Sequence, residues 1–251
     1  MDHIKAIGFD LFNTLLTVDG QAVDEAVSRL IRSLLGSSFA LEEGSFRQAY
    51  REAALQFMEA ARLNGRETHN RFWISAALKS HGYVVDPDDP RIAAAVDAYF
   101  SAFPSRCQLI PGTLKILRIL KGHYRLGLLS NFTHPPAARG IIDWLGLTPF
   151  FEVVLISGEL GYRKPHPMVF RQLIKRLGVR KDQVLYIGDD PEPDIIGAEQ
   201  AGLKPVWFTY VRDNEIPIPP ALASSETEKP EGGVTRISSW KELLPLLGKR
   251  D

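Results

Sequence analysis

Asp10 closes an apolar run, Ile4-Lys5-Ala6-Ile7-Gly8-Phe9, and is followed by Leu11-Phe12-Asn13-Thr14-Leu15. A carboxylate at the end of a buried strand can serve as a nucleophile or a metal ligand; it can equally form a turn. Leu128-Leu129-Ser130-Asn131 places a hydroxyl and a carboxamide after a second apolar run. Such a pair can hold a phosphoryl or carboxylate oxygen, although Ser-Asn is also a common turn pair. In Arg163-Lys164-Pro165-His166-Pro167, a lysine pinned by proline sits just before a helix. A fixed positive charge there can screen a nucleophilic carboxylate from an anionic substrate, whereas a lone lysine is usually just solvated. Gly188-Asp189-Asp190-Pro191-Glu192-Pro193-Asp194 crowds carboxylates into one turn. They repel one another unless a cation neutralises them, and all-oxygen donors suit magnesium. The bland alternative is an acidic surface loop. A position directly after a buried strand favours the metal.

These segments lie far apart in sequence, so something must bring them together. Each follows an apolar strand or opens a helix. In open α/β sheets, ligands bind beyond the carboxyl ends of the strands. The spacing predicts strands at Ile4–Phe9, Tyr124–Leu129, Val153–Ile156, Val184–Ile187, Pro205–Thr209 and Val234–Ile237. Helices are expected at Thr113–Lys121, Pro136–Leu145, Pro167–Leu177 and Ile195–Ala201, with Gly178 and Gly202 as stops. Ser239 and Glu242 have capping-box spacing at the start of a last helix. This alternation predicts an α/β fold with a Rossmann-like parallel sheet. Residues 19–103 differ in texture. They predict three to five helices, broken near Gly36, Gly44, Asn64-Gly65 and Asp86–Pro90, with Tyr83-Val84-Val85 the first strand-like run. We therefore expect a core from 1–16 and 105–251 and an inserted all-helical domain at 17–104. The Pro-, Ser- and Glu-rich stretch 211–233 reads as a long surface loop.

Bulk properties narrow the function class. The 251 residues carry 30 acidic and 30 basic side chains, which argues against a general nucleic-acid or anionic-membrane binder. Cys107 is the sole cysteine, so no intrachain disulfide can form. Neither a signal peptide nor an apolar run long enough to span a bilayer is recognisable. A cytoplasmic protein is expected.

Taken together, the four segments resemble the motifs of the haloacid dehalogenase superfamily. Asp10-x-x-x-Thr14 matches the first motif, Ser130 the second, Lys164-Pro165 the third, and Gly188-Asp189 with Asp194 the fourth. The helical insert lies where that family carries its subclass I cap. The resemblance implies that Asp10 attacks phosphorus and becomes an aspartyl-phosphate. It implies that Thr14, Ser130 and Asn131 orient the nucleophile and the phosphoryl oxygens, with Asn131 binding substrate, and that Lys164 steadies the charge. It implies Mg2+ on Asp10, the backbone carbonyl of Phe12 and Asp189, with Asp194 in support. The substrate would be a small phosphorylated metabolite, and the protein a monomer or homodimer.

One position departs from the pattern. Phosphatases of the family usually carry a second Asp where this chain has Phe12, and that Asp protonates the leaving oxygen and then activates water. Asp19, His134 or His166 are conceivable substitutes. An aromatic residue at this position is instead a feature of the family's 2-haloacid dehalogenases, which need no leaving-group proton. Two differences oppose that reading: dehalogenases carry Ser and Asn in the fourth motif, and a Tyr where this chain has Phe170. Phosphoryl transfer is therefore the main expectation, dehalogenation the second, and a non-catalytic binding protein the third. Arg47, Arg51, Arg62, Arg66 and Arg71 of the insert could contact an anion, though helix arginines mostly face solvent. Tyr50, Phe57, Phe72, Trp73, Tyr99 and Phe100 are expected in the insert's own core.

Overall fold

The computed structural model describes residues 3–218 and 233–248. The chain opens with β1 (Ala6–Phe9) and β2 (Leu16–Val18), then four helices, α1 (Ala22–Gly36), α2 (Glu43–Asn64), α3 (Asn70–Ser80) and α4 (Pro90–Phe100). It continues through β3 (Cys107–Leu109), α5 (Thr113–Lys121), β4 (Arg125–Ser130), α6 (Pro135–Trp144), β5 (Val153–Ile156) and the one-turn α7 (Ser157–Leu160). It ends with α8 (Pro167–Leu177), β6 (Val184–Gly188), α9 (Gly197–Gln200), β7 (Lys204–Phe208), α10 (Tyr210–Asp213), β8 (Thr235–Ile237) and α11 (Leu243–Leu246).

β1 is buried along its whole length, which is why its sequence is apolar without alternation. It sits inside a parallel sheet of order β5-β4-β1-β6-β7-β8. On one side of β1 the chain proceeds to β4 and β5, and on the other to β6, β7 and β8. β1 thus marks the switch point, and the crevice of such a sheet opens at the carboxyl ends of its flanking strands. Asp10, Ser130 and Asp189 stand there. All six expected core strands are present, and the sheet is Rossmann-like.

The four helices of the insert lie between β2 and β3, which pair antiparallel as a short ribbon. Within it, α1 packs on α4 and α2 on α3, around Leu30, Leu34, Phe46, Ile74, Leu78 and Ile92, all fully buried. Burying each such side chain contributes roughly 1.5–3 kcal/mol. Glu42 caps α2 by accepting from the amides of Gly44 and Ser45. Gly65 ends α2 with φ of 69°, and a side chain there would run into His166.

Several local expectations are corrected. Tyr83-Val84-Val85 forms no strand: Val84 is 90% exposed and the Tyr83 hydroxyl is tied to the backbone of Ala40. Gly44 lies inside the first turn of α2, so the break precedes it. Phe72 is exposed, unlike buried Tyr50, Trp73, Tyr99 and Phe100. The helix after Asp189 starts earlier than expected, as a wider i→i+5 turn over Pro191–Ile196. Residues 210–213 are helical, and most of the expected 211–233 loop lies outside the described residues. Glu242 accepts from the hydroxyls of Ser238 and Ser239 and from the amide of Ser238, which is one residue off a capping box.

The insert is tied to the core through residues 65–70. The Arg163 amide donates to the Gly65 carbonyl at 3.0 Å, and the Glu67 amide donates to Gly161 at 3.1 Å. The Ser157 hydroxyl donates to the buried Glu67 carboxylate at 2.5 Å, with Arg163 alongside at 3.5 Å. Thr133 bonds Asn70, and His69 Nε2 meets His134 Nδ1 at 3.0 Å. The tautomers follow from donor accounting. His69 Nδ1 accepts from the Arg71 amide, so its Nε2 carries the proton and donates to His134 Nδ1. Neither ring can gain a proton without losing one of these bonds.

Burial holds His69 down at about 4 and lowers His134 as well, with Arg71 pushing His69 down further and Asp88 and Asp97 pulling upward. Because both values lie below 6.5, the contact contributes fully at higher pH and is lost as pH falls toward about 4. Relative to His134→Gln, the wild type should therefore lose thermal stability from about pH 7 to pH 5. Parallel pH profiles for the two proteins would show that the pair does not couple insert to core.

Candidate active site

Asp10 follows β1 directly, and its amide donates to the Ile187 carbonyl of β6 at 2.9 Å. Asn13, at a positive φ of 59°, turns the chain back so that Thr14 faces Asp10. The Thr14 hydroxyl lies 3.4 Å from Asp10 Oδ2 and 3.3 Å from Asp189 Oδ1, and its one proton serves one carboxylate at a time. Lys164 Nζ sits 2.5 Å from Asp10 Oδ1 and 2.6 Å from Asp194 Oδ1. Asp194 Oδ2 also accepts the Asp190 amide at 3.1 Å. Asp10, Lys164 and Asp194 are 7%, 3% and 1% exposed.

Asn131 clamps the second segment to the third. Its Oδ1 accepts the Lys164 amide at 2.8 Å, and its Nδ2 donates to the Lys164 carbonyl at 3.0 Å. The carboxamide expected on substrate is thus engaged in holding the Lys164 turn, with one N–H and one lone pair left over. Ser130 Oγ is fully buried and has no hydrogen-bond partner. An orphaned hydroxyl at this depth costs free energy unless a ligand oxygen completes it.

The charges do not balance. Asp10, Asp189 and Asp194 bring oxygens within 4.8 Å of one another, against the single ammonium of Lys164. Burial raises the Asp10 carboxyl to about 6, and Lys164 pulls it back only in part. Burial, then repulsion from Asp10, Asp194 and Asp190, lifts Asp189 well above the usual carboxylate range. Burial disfavours the charged form of Lys164, but Asp10 and Asp194 outweigh it and hold the ammonium well above its ordinary value. The donor set is hard oxygen and carries excess negative charge, which fits a magnesium ion.

Other expected groups are occupied elsewhere. Phe12 stacks on Phe132 at 5.2 Å, Phe132 contacts Phe100 at 5.3 Å, and Phe100 stacks on His134 at 4.7 Å. Asp19 pairs with Arg106 at the base of the insert, and His166 caps α8 while stacking on Tyr162. Arg47 bonds Ser28 and Glu43, Arg62 pairs with Glu59 and approaches Glu192 at 4.0 Å, Arg66 lies over Tyr162, and Arg71 pairs with Asp88. Arg51 is exposed on α2. The sequence reading missed Tyr186, whose hydroxyl reaches Lys164 Nζ at 3.2 Å. A polar-tipped residue in an otherwise aliphatic buried strand was its only signal.

A family model described as haloacid dehalogenase-like hydrolase matches residues 4–202. The chain belongs to that family. It is 32% identical to the glyceraldehyde 3-phosphate phosphatase of Pyrococcus abyssi over 82% of each chain. It is 30% identical to the ribulose-1,5-bisphosphate 5-phosphatase of Halopiger xanaduensis, over 81% of this chain and 84% of that one. The fold superposes on a 2-haloacid dehalogenase from Pseudomonas syringae with a TM-score of 0.68, at 23% identity and 98% coverage of each chain. This haloacid dehalogenase-like hydrolase has no helix long and apolar enough to cross a membrane among its described residues.

Gly188 exposes how tightly the fourth motif is packed. A Cβ at this position would overlap Asp194 from its Cβ to its carboxylate. Gly188→Ala should destabilise the fold by about 1–3 kcal/mol and, because Asp194 must move, weaken the hold on any cation the carboxylates bind. Melting and magnesium titration of the variant check this; an unchanged magnesium affinity would mean that Asp194 has no part in holding the ion.

Proposed function

We propose that this hydrolase is a magnesium-dependent phosphatase acting on a small phosphorylated metabolite through Asp10. The observation that carries the reading is the surplus of buried carboxylate beside the nucleophile. Displacement of halide from carbon by Asp10 needs no cation. A site with three carboxylates and one ammonium must gain positive charge before an anionic phosphoryl group can approach. The relatives named above as phosphatases support the same choice. Magnesium would be held by Asp10, Asp189 and the Phe12 carbonyl, with Asp194 in support; when bound it offsets charge on the phosphoryl oxygens.

In this reading an Asp10 carboxylate oxygen bonds to phosphorus while the bond to the leaving oxygen breaks with its electron pair. Water then attacks phosphorus, releases inorganic phosphate and restores Asp10. Lys164 stabilises charge in both steps. Thr14 orients the carboxylates of Asp10 and Asp189, and Ser130 Oγ takes a phosphoryl oxygen. Asn131 keeps Lys164 in place and has one N–H left for substrate. Residues 17–104 act as a cap domain that excludes water from the reaction.

Phe12 cannot donate a proton, and Asp19, His134 and His166 are each bonded elsewhere. Substrates with good leaving groups, acyl or aryl phosphates, should therefore turn over faster than alkyl phosphates. The aromatic residue at position 12 also favours a second reading, halide displacement, in which the leaving group needs no proton.

Wild-type protein given acetyl phosphate and magnesium, then quenched in acid, should carry one phosphoryl group on Asp10 by mass spectrometry. Asp10→Asn should carry none, show no turnover and keep its fold; retained activity in the pure variant would remove Asp10 as nucleophile. Phe12→Asp should raise alkyl-phosphate hydrolysis by up to about 10²-fold and aryl-phosphate hydrolysis far less. Equal effects on both substrates would contradict the leaving-group argument.

A further inference from the structure

We infer that Tyr186 is a positioning residue for Lys164, an inference that rests on the reading of Asp10 as nucleophile. An ammonium has three N–H donors and no acceptor. Those of Lys164 have three partners: Asp10 Oδ1 at 2.5 Å, Asp194 Oδ1 at 2.6 Å and the Tyr186 hydroxyl at 3.2 Å. The Lys164 side chain is 2% exposed, so solvent offers no substitute for any of them. The Tyr186 hydroxyl has one proton and two acceptors in reach, the Leu129 carbonyl at 3.2 Å and Asp194 Oδ1 at 3.4 Å, and with either one it keeps a lone pair for Lys164.

The sheet is built to allow this reach. Tyr186 lies on β6 beside Gly8 of β1, and Gly8 lies beside Gly127 of β4. A Cβ on Gly8 would stand 2.7 Å from the Tyr186 ring. The missing side chain in the central strand therefore leaves room for the ring to extend from β6 to the end of β4, next to Ser130. An interior strand glycine is otherwise a loss of packing, and here it marks a close approach.

The arrangement has a consequence for the reaction. When Asp10 becomes an acyl phosphate, Lys164 loses the full charge of its nearest partner. Asp194 and Tyr186 do not react, and together they keep Nζ where the phosphoryl oxygens develop charge. Tyr186 thus acts on the rate of the chemical steps, through Lys164, and not on ground-state binding.

The test compares magnesium-loaded wild type and Tyr186→Phe on para-nitrophenyl phosphate. Phenylalanine keeps the ring over Gly8 and its 5.2 Å edge contact with Phe170. We expect kcat to fall roughly 10–100-fold, KM to stay within about twofold, and the inhibition constant of vanadate to rise with the fall in kcat. A variant with wild-type kcat, or one in which KM rises and kcat holds, would overturn the inference. A second measurement guards against a folding defect: adding Tyr186→Phe to Lys164→Met should leave vanadate affinity unchanged, and a further loss would show that Tyr186 does not act through Lys164. No magnesium-dependent phosphate release from the wild type would remove both this inference and the reading beneath it, whereas an active wild type with an unaffected Tyr186→Phe removes this inference alone.

Discussion

One buried ammonium holds two carboxylates, with a third close by, at the end of the sheet. Lys164 Nζ lies between Asp10 and Asp194, with Asp189 joined to the group through Thr14. An uncompensated charge at this depth costs several kcal/mol, so each member depends on the others. Much of the surrounding structure serves this cluster. Asn131 grips the Lys164 backbone at both ends, the wide turn over Pro191–Ile196 delivers Asp194, and Gly188 makes room for it. The parallel sheet brings these parts together because β1, β4 and β6 are neighbours whose carboxyl ends face one crevice.

The helical insert meets the core at this end of the sheet. Its contacts with the core are concentrated in residues 65–70, where two backbone hydrogen bonds, the Glu67 carboxylate and the side chains of His69 and Asn70 meet the turns after β4 and β5. Beneath them, Phe12, Phe132 and Phe100 form a continuous aromatic wall. The wall supplies apolar contact at the position where the family's phosphatases place an acid. It links the departure at residue 12 to Phe100 of the insert through Phe132.

Much of this was legible in the sequence. Buried strands such as Val184–Ile187 announce themselves because both faces are covered and polarity cannot alternate. The motif residues were legible because strand ends in a parallel sheet converge regardless of sequence distance. What escaped was non-local. β2 and β3 are three residues each and pair across the whole insert, too short for any period to appear. Tyr83-Val84-Val85 has strand-forming residues but no strand partner, so its propensity found no ladder. Glu67 with Ser157, Asn70 with Thr133 and His69 with His134 join residues whose pairing has no local mark. The role of Gly8 is visible only once Tyr186 is seen crossing it.

Under the proposed function, the surplus negative charge beside Asp10 serves a cation and a phosphoryl group. The most direct test is a side-by-side assay of the pure protein for phosphate release from para-nitrophenyl phosphate and halide release from 2-chloropropionate, each with magnesium and with chelator. We expect phosphate release that disappears with chelator, and no halide. Halide release that persists in chelator would contradict the proposal and make Phe12 the better guide to the chemistry.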